Sequence, residues 1–155
     1  MIKRLIDQIS GVITAPSDTT ADAERREAAI RTATAVLMVD VARADYVFDD
    51  SEFDSVLRLV ETHFHLSPDE AAALVNAADE EVDELVSLHE FTQLLHHNLD
   101  EREKAQVVGL LWKIAYADGR LDKYEDSLVL KISDLLHVNR GQVMRLKHDA
   151  GNAGT

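Results

Sequence analysis

The chain has 155 residues, with 29 acidic against 16 basic side chains and no cysteine. That length suits one domain with a sizeable core, and the missing thiols exclude disulfides, thiolate metal sites and thiol redox chemistry. The formal charge of −13 is concentrated in residues 45–103, where 17 acids face only Arg58 and Arg102; such a block repels phosphate backbones and argues against nucleic-acid binding.

Residues 2–13 place Ile2, Leu5, Ile6, Ile9, Val12 and Ile13 at helical spacing. This short amphipathic helix would dock on its own domain, on a partner, or weakly on a membrane surface. Asp7, Gln8 and Ser10 interrupt it, so it is not a signal peptide. No apolar run approaches the roughly 20 residues of a membrane span, and a cytoplasmic setting is expected. Residues 14–20 form a linker containing Pro16, which makes 1–20 an N-terminal extension to a helical domain over 21–150.

That domain opens with a long helix over about 21–44, apolar nearly all round from Ala33 to Val41 and therefore central. Asp49-x-x-Glu52 is a capping box for the next helix, which carries Phe53, Val56, Leu57 and Val60 and ends near His65. Ser67-Pro68-Asp69-Glu70 starts another, with Ser at the N-cap, Pro at the first helical position and Glu at the third, leading through 71–78. The acidic run 79–84 is expected to begin a separate helix bearing Leu85, Leu88, Phe91, Leu94 and Leu95. Asp100-x-x-Glu103 caps a second central helix over 104–117, which Gly119 terminates. Asp122-x-x-Glu125 caps a helix with Leu128, Val129, Ile132, Leu135 and Leu136; Asn139 caps the last, with Val143 and Leu146. Residues 151–155 read as a disordered tail. No strand-like alternation occurs, so the expected fold is an all-α bundle of seven or eight helices.

The chain also repeats itself. Residues 42–52 return as 115–125 at an offset of 73, and seven positions are identical between 42–58 and 115–131. The identities include the acidic pairs Asp45/Asp118, Asp49/Asp122 and Glu52/Glu125, so a pseudo-twofold bundle with two equivalent acidic corners is expected. Asp40 and Lys113 are also equivalent; they could meet where the central helices cross, or each could reach water at a helix edge.

The pattern Ala-x-Ala-Asp-Gly-x-Leu-Asp-x-x-Glu at the end of an apolar helix resembles the tellurite-resistance protein B (TerB) family, in its stand-alone bacterial form. The resemblance covers roughly residues 25–148 and includes Leu66-Ser67-Pro68-Asp69-Glu70, Glu90-Phe91-Thr92-Gln93-Leu94 and the run from Leu111 to Gly119. It implies an all-α bundle of two related halves, acidic corners proposed to bind metal, and an association with resistance to tellurite and other stresses without a firmly assigned enzymatic activity. The first corner departs from the pattern, because Tyr46 stands where the family has Gly.

Two readings of the corners follow. Asp45, Asp49, Glu52, Asp118, Asp122 and Glu125 offer hard oxygen ligands suited to Ca²⁺ or Mg²⁺, although their spacing is not an EF-hand loop. Alternatively the Asp-x-x-Glu pairs only cap helices. His89 and His96 are seven apart and could hold a transition metal, but Gln93 breaks the zinc-protease motif, and solvated or partly buried helix histidines are the plainer reading. With no phosphate loop or nucleophile elbow, no enzyme is indicated. The expected function is a non-enzymatic stress-response module acting through a protein partner, with a divalent cation at the corners. The alternative is a purely structural or interaction domain whose acidic 45–103 surface recruits a basic partner. A homo-oligomer is compatible with either.

Overall fold

The computed structural model describes residues 20–44, 50–84, 88–117 and 123–153. They form seven helices and no strand: α1 (Thr20–Ala42), α2 (Asp50–Phe64), α3 (Pro68–Glu84), α4 (His89–Asn98), α5 (Glu101–Ala115), α6 (Lys123–Leu135) and α7 (Arg140–Ala153). The all-α bundle is as expected. The amphipathic segment 2–13 lies outside the described residues.

The hydrophobic effect puts α1 at the centre. From Ala33 to Ala42 every residue except Asp40 is buried, so the helix needs apolar neighbours on all sides. It packs against α2, α3, α4, α5 and α6, while α7 lies against α5 and α6. Phe91, Leu95, Leu111 and Trp112 fill the space around it with no exposed surface. The Lys147 ammonium sits 5.3 Å from the Trp112 ring centroid and 2.7 Å from Asp126 Oδ1, which ties α5, α6 and α7 together.

The helix ends follow the capping chemistry. Ser67 Oγ accepts from Glu70 N at 3.2 Å while Ser67 N donates to Glu70 Oε1 at 3.0 Å. Asp100 and Glu103 form the same reciprocal pair. Asn139 Oδ1 accepts from Gly141 N at 2.8 Å at the head of α7. The end near His65 is as expected, but the geometry of two stops was not evident from sequence: His65 at φ 57° and His137 at φ 63° adopt the left-handed conformation usually given to glycine. In each case the next amide reaches back five residues, Leu66 N to Glu61 O and Val138 N to Ser133 O, both at 3.1 Å.

Two boundaries differ from expectation. Residues 79–84 do not start a helix; they complete α3, and the following helix begins only at His89. The Asp79 side chain is held by Arg43 Nη1 at 3.0 Å, and the same Nη1 donates to the Asp79 carbonyl at 3.3 Å, so this run is anchored on the end of α1. At the C-terminus, α7 continues through Ala153, so residues 151–153 are helix rather than tail. Gly151 is packed there: a Cβ would stand 3.3 Å from Tyr116 Cζ.

The glycines give a stability test. Gly109 lies within α5, where a Cβ would meet only Leu146 Cδ2 at 3.8 Å. Gly109→Ala should therefore raise stability by up to about 1 kcal/mol through helix propensity. Gly151→Leu should lower it by roughly 1–3 kcal/mol, because Tyr116 must move. Urea denaturation of both variants checks the pair of signs.

Candidate functional site: the two acidic corners

The corners are approached by matching backbone. Past the end of α1, Arg43 N donates to Val39 O at 3.0 Å and Ala44 N to Val41 O at 3.1 Å. Past the end of α5, Tyr116 N donates to Trp112 O at 3.0 Å and Ala117 N to Ile114 O at 3.1 Å. Donors and acceptors are all 73 residues apart, as are the helix ends Ala42 and Ala115 and the next helix starts, Asp50 and Lys123.

Asp45, Asp49, Asp118 and Asp122 lie outside the described residues, as do Tyr46 and Gly119. The two remaining candidates occupy equivalent first-turn positions. Glu52 is half-buried in α2, and Glu125 in α6 is 4% exposed. Both sit at the positive end of a helix dipole, which favours a carboxylate. Among the described residues no three His, Asp or Glu side chains are grouped so as to hold a metal ion. Tyr124, beside Glu125, is 53% exposed and packs under the Lys123 ammonium, 5.2 Å from its ring centroid.

Of the two alternatives for Asp40 and Lys113, the meeting does not occur. Lys113 is exposed and raises its potential at His63, whereas Asp40 feels Arg43 and Lys131. Burial pushes the Asp40 carboxyl above its ordinary 3.8, against the smaller pull of those two cations.

The histidines on α4 take the plainer of the two readings. His89 is exposed, while His96 stacks on His137 with ring centroids 4.1 Å apart. Its Nδ1 lies 2.7 Å from Nζ of Lys104, a lysine only 5% exposed whose other close partner is Glu101 at 3.9 Å. An ammonium can only donate, so Nδ1 must accept and the ring is neutral. Desolvation, then the charges of Lys104, His137 and His97, hold His96 below the ordinary 6.5, opposed by a hydrogen bond with the Leu136 backbone. Burial of Lys104 had no signal in the sequence, since a lysine one position after a capping box ordinarily faces water.

The described helices thus define an all-α module whose two long buried helices each lead into an acidic corner. The family described as tellurite resistance protein TerB matches residues 31–148, and the chain belongs to this family. No curated protein and no solved structure matches it. Among the described residues no helix is long and apolar enough to cross a membrane.

Two titrations follow. Between 3.8 and its raised value, Asp40 binds more protons in the folded chain than in the unfolded one, so stability falls as pH rises through that window. Asp40→Asn should remove this slope and raise the Tm at pH 7 by a few degrees, since about 1 kcal/mol corresponds to roughly 2–4 °C at this size. His96 has the opposite sense: its folded value is lowered, so its contribution is present above 6.5 and lost as pH falls through the folded value. Imidazole NMR should place its midpoint below 6.5, and Lys104→Met should move that midpoint up.

Proposed function

We propose that this chain is a non-enzymatic stress-response module of the TerB type that acts in the cytoplasm by binding a protein partner, with a divalent cation organising its two acidic corners. The matching ends of the two buried helices and the equivalent first-turn positions of Glu52 and Glu125 support the reading. On this reading the halves are related by a pseudo-twofold, and Asp45, Asp49, Asp118 and Asp122 join the two glutamates as hard oxygen ligands. Ca²⁺ or Mg²⁺ would suit them. The association with tellurite resistance comes from the family, and binding or scaffolding is the role it takes here, because the chain holds no thiol to reduce the oxyanion.

A second reading rests on the surface. Asp54, Asp69, Glu70, Glu80 and Glu90 are exposed on α2, α3 and α4, within the block of net charge −15. This face could recruit a basic partner with the corners serving only as caps.

Thermal unfolding separates the two. Chelator-treated protein is melted alone and with Ca²⁺, Mg²⁺, Mn²⁺ or Zn²⁺, beside Asp118→Asn. A cation at 100 times its dissociation constant should add about 2.7 kcal/mol, and the gain should vanish in the variant. If no cation shifts the melt, the corners are caps and the acidic-face reading stands.

A further inference from the structure

Helix α5 is buried on most sides, yet Arg102, Gln106 and Lys113 are exposed and Gly109 is half-exposed. Steps of four, three and four residues put them on one ridge. A hollow of about 550 Å³ lies on the α1 side of this ridge, and one of about 530 Å³ on the α7 side. His63 and Gln106 line both, so the hollows are two lobes of one depression. Each lobe is within the size range of small-molecule sites.

The lining pairs apolar surface with positive charge, although Arg31 also acts electrostatically on the Glu70 carboxylate. Ile30, Phe64, Leu99 and Val107 floor the first lobe, Leu110 and Leu146 the second. Arg26 and Arg31 line the first, Arg102 and Lys113 the second. Among the described residues these four cations make no hydrogen bond or ion pair, whereas Arg43, Lys104, Arg140 and Lys147 all have acidic partners. The Nε of Arg26 is sealed from solvent without an acceptor. Such a donor costs stability unless something accepts from it. Glu27, Glu103 and Asp149 also line the lobes, but Glu103 already accepts from Asp100 N in its capping box.

Gly109 adds an independent sign. A glycine inside a helix weakens it, and here no neighbour demands one, since a Cβ would fit. Its effect is to keep the floor of the second lobe low.

We propose that this depression is a binding site for a small amphipathic anion. Its acidic head, a carboxylate, sulfonate or phosphate, is held by the guanidinium and ammonium groups, and its aromatic or acyl body lies on the apolar floor. On the reading proposed above the acidic corners would take cations; this depression takes an anion.

The probe is 8-anilinonaphthalene-1-sulfonate, titrated by fluorescence against the native full-length chain. Its uncharged twin is N-phenyl-1-naphthylamine, which has the same rings without the sulfonate. Saturable binding of the sulfonate is expected, about tenfold tighter than the twin, as a charge-assisted hydrogen bond implies. Arg26→Gln with Arg31→Gln should lose that advantage, with twin binding unchanged. Arg58→Gln, on α2, should bind as the native chain does. Amide shifts on binding should cluster at Ile30, Gln106 and Gly109, a readout that needs no variant to fold. Equal affinity for probe and twin, no saturable binding, or shifts confined to other faces would overturn the proposal.

Discussion

A helix that is apolar on every side cannot be stable at a surface, and this constraint organises the whole domain. Residues 33–42 of α1 show water almost nothing, so the remaining helices must form a sleeve around them. Ala33, Ala35 and Ala42 let neighbours come close, and Val36, Leu37, Met38, Val39 and Val41 fill the gaps between them. The one buried hydroxyl in the run, that of Thr34, folds back to donate to Ile30 O at 2.8 Å and leaves no unsatisfied group. Asp40 is the exception. Its carboxyl is pushed towards protonation by its surroundings, so part of the stability gained from α1 is lost at neutral pH.

The corners inherit their placement from this packing. Because α1 and α5 are both held in the interior, the chain leaving each of them is fixed by the same pair of backbone hydrogen bonds. Arg43 then clamps the exit of α1 to α3 through Asp79, and Tyr116 braces the exit of α5 against Gly151 of α7. The two exits are alike in backbone and different in support, an ion pair on one side and an aromatic contact on the other. That asymmetry parallels the sequence departure at Tyr46. It gives a physical reason for two copies of one pattern to differ in any ligand they hold.

Most helix starts were legible because capping is local. Ser67 with Glu70, and Asp100 with Glu103, satisfy amides within four residues, and the sequence places donor and acceptor at the right spacing. What failed was long-range. Residues 79–84 read as the acidic start of a helix, and no local rule revealed that Arg43, 36 residues away, holds Asp79 on the tail of α3. Equivalence in the repeat left open whether Lys113 and Asp40 meet, because it says nothing about which face each presents. Gly151 read as a fraying signal, when it is the small residue that lets Tyr116 approach. Of the candidate site, only Glu52 and Glu125 fall among the described residues.

Charge carries the last step. A chain with 29 acids for 16 bases has acid to spare for every cation, so a cation that forms no ion pair among the described residues reflects position rather than supply. The surplus acids are concentrated in 45–103 and exposed mainly on α2, α3 and α4, while Arg26 and Arg31 lie on α1 and Arg102 and Lys113 on α5. Between those groups the depression has an apolar floor, where water screens charge less than it does on open surface. The depression sets four cations against Glu27, Glu103 and Asp149, a small positive excess in an otherwise acidic chain. The domain thus keeps two surfaces of opposite character on one rigid frame, and that frame exists because α1 has to be enclosed.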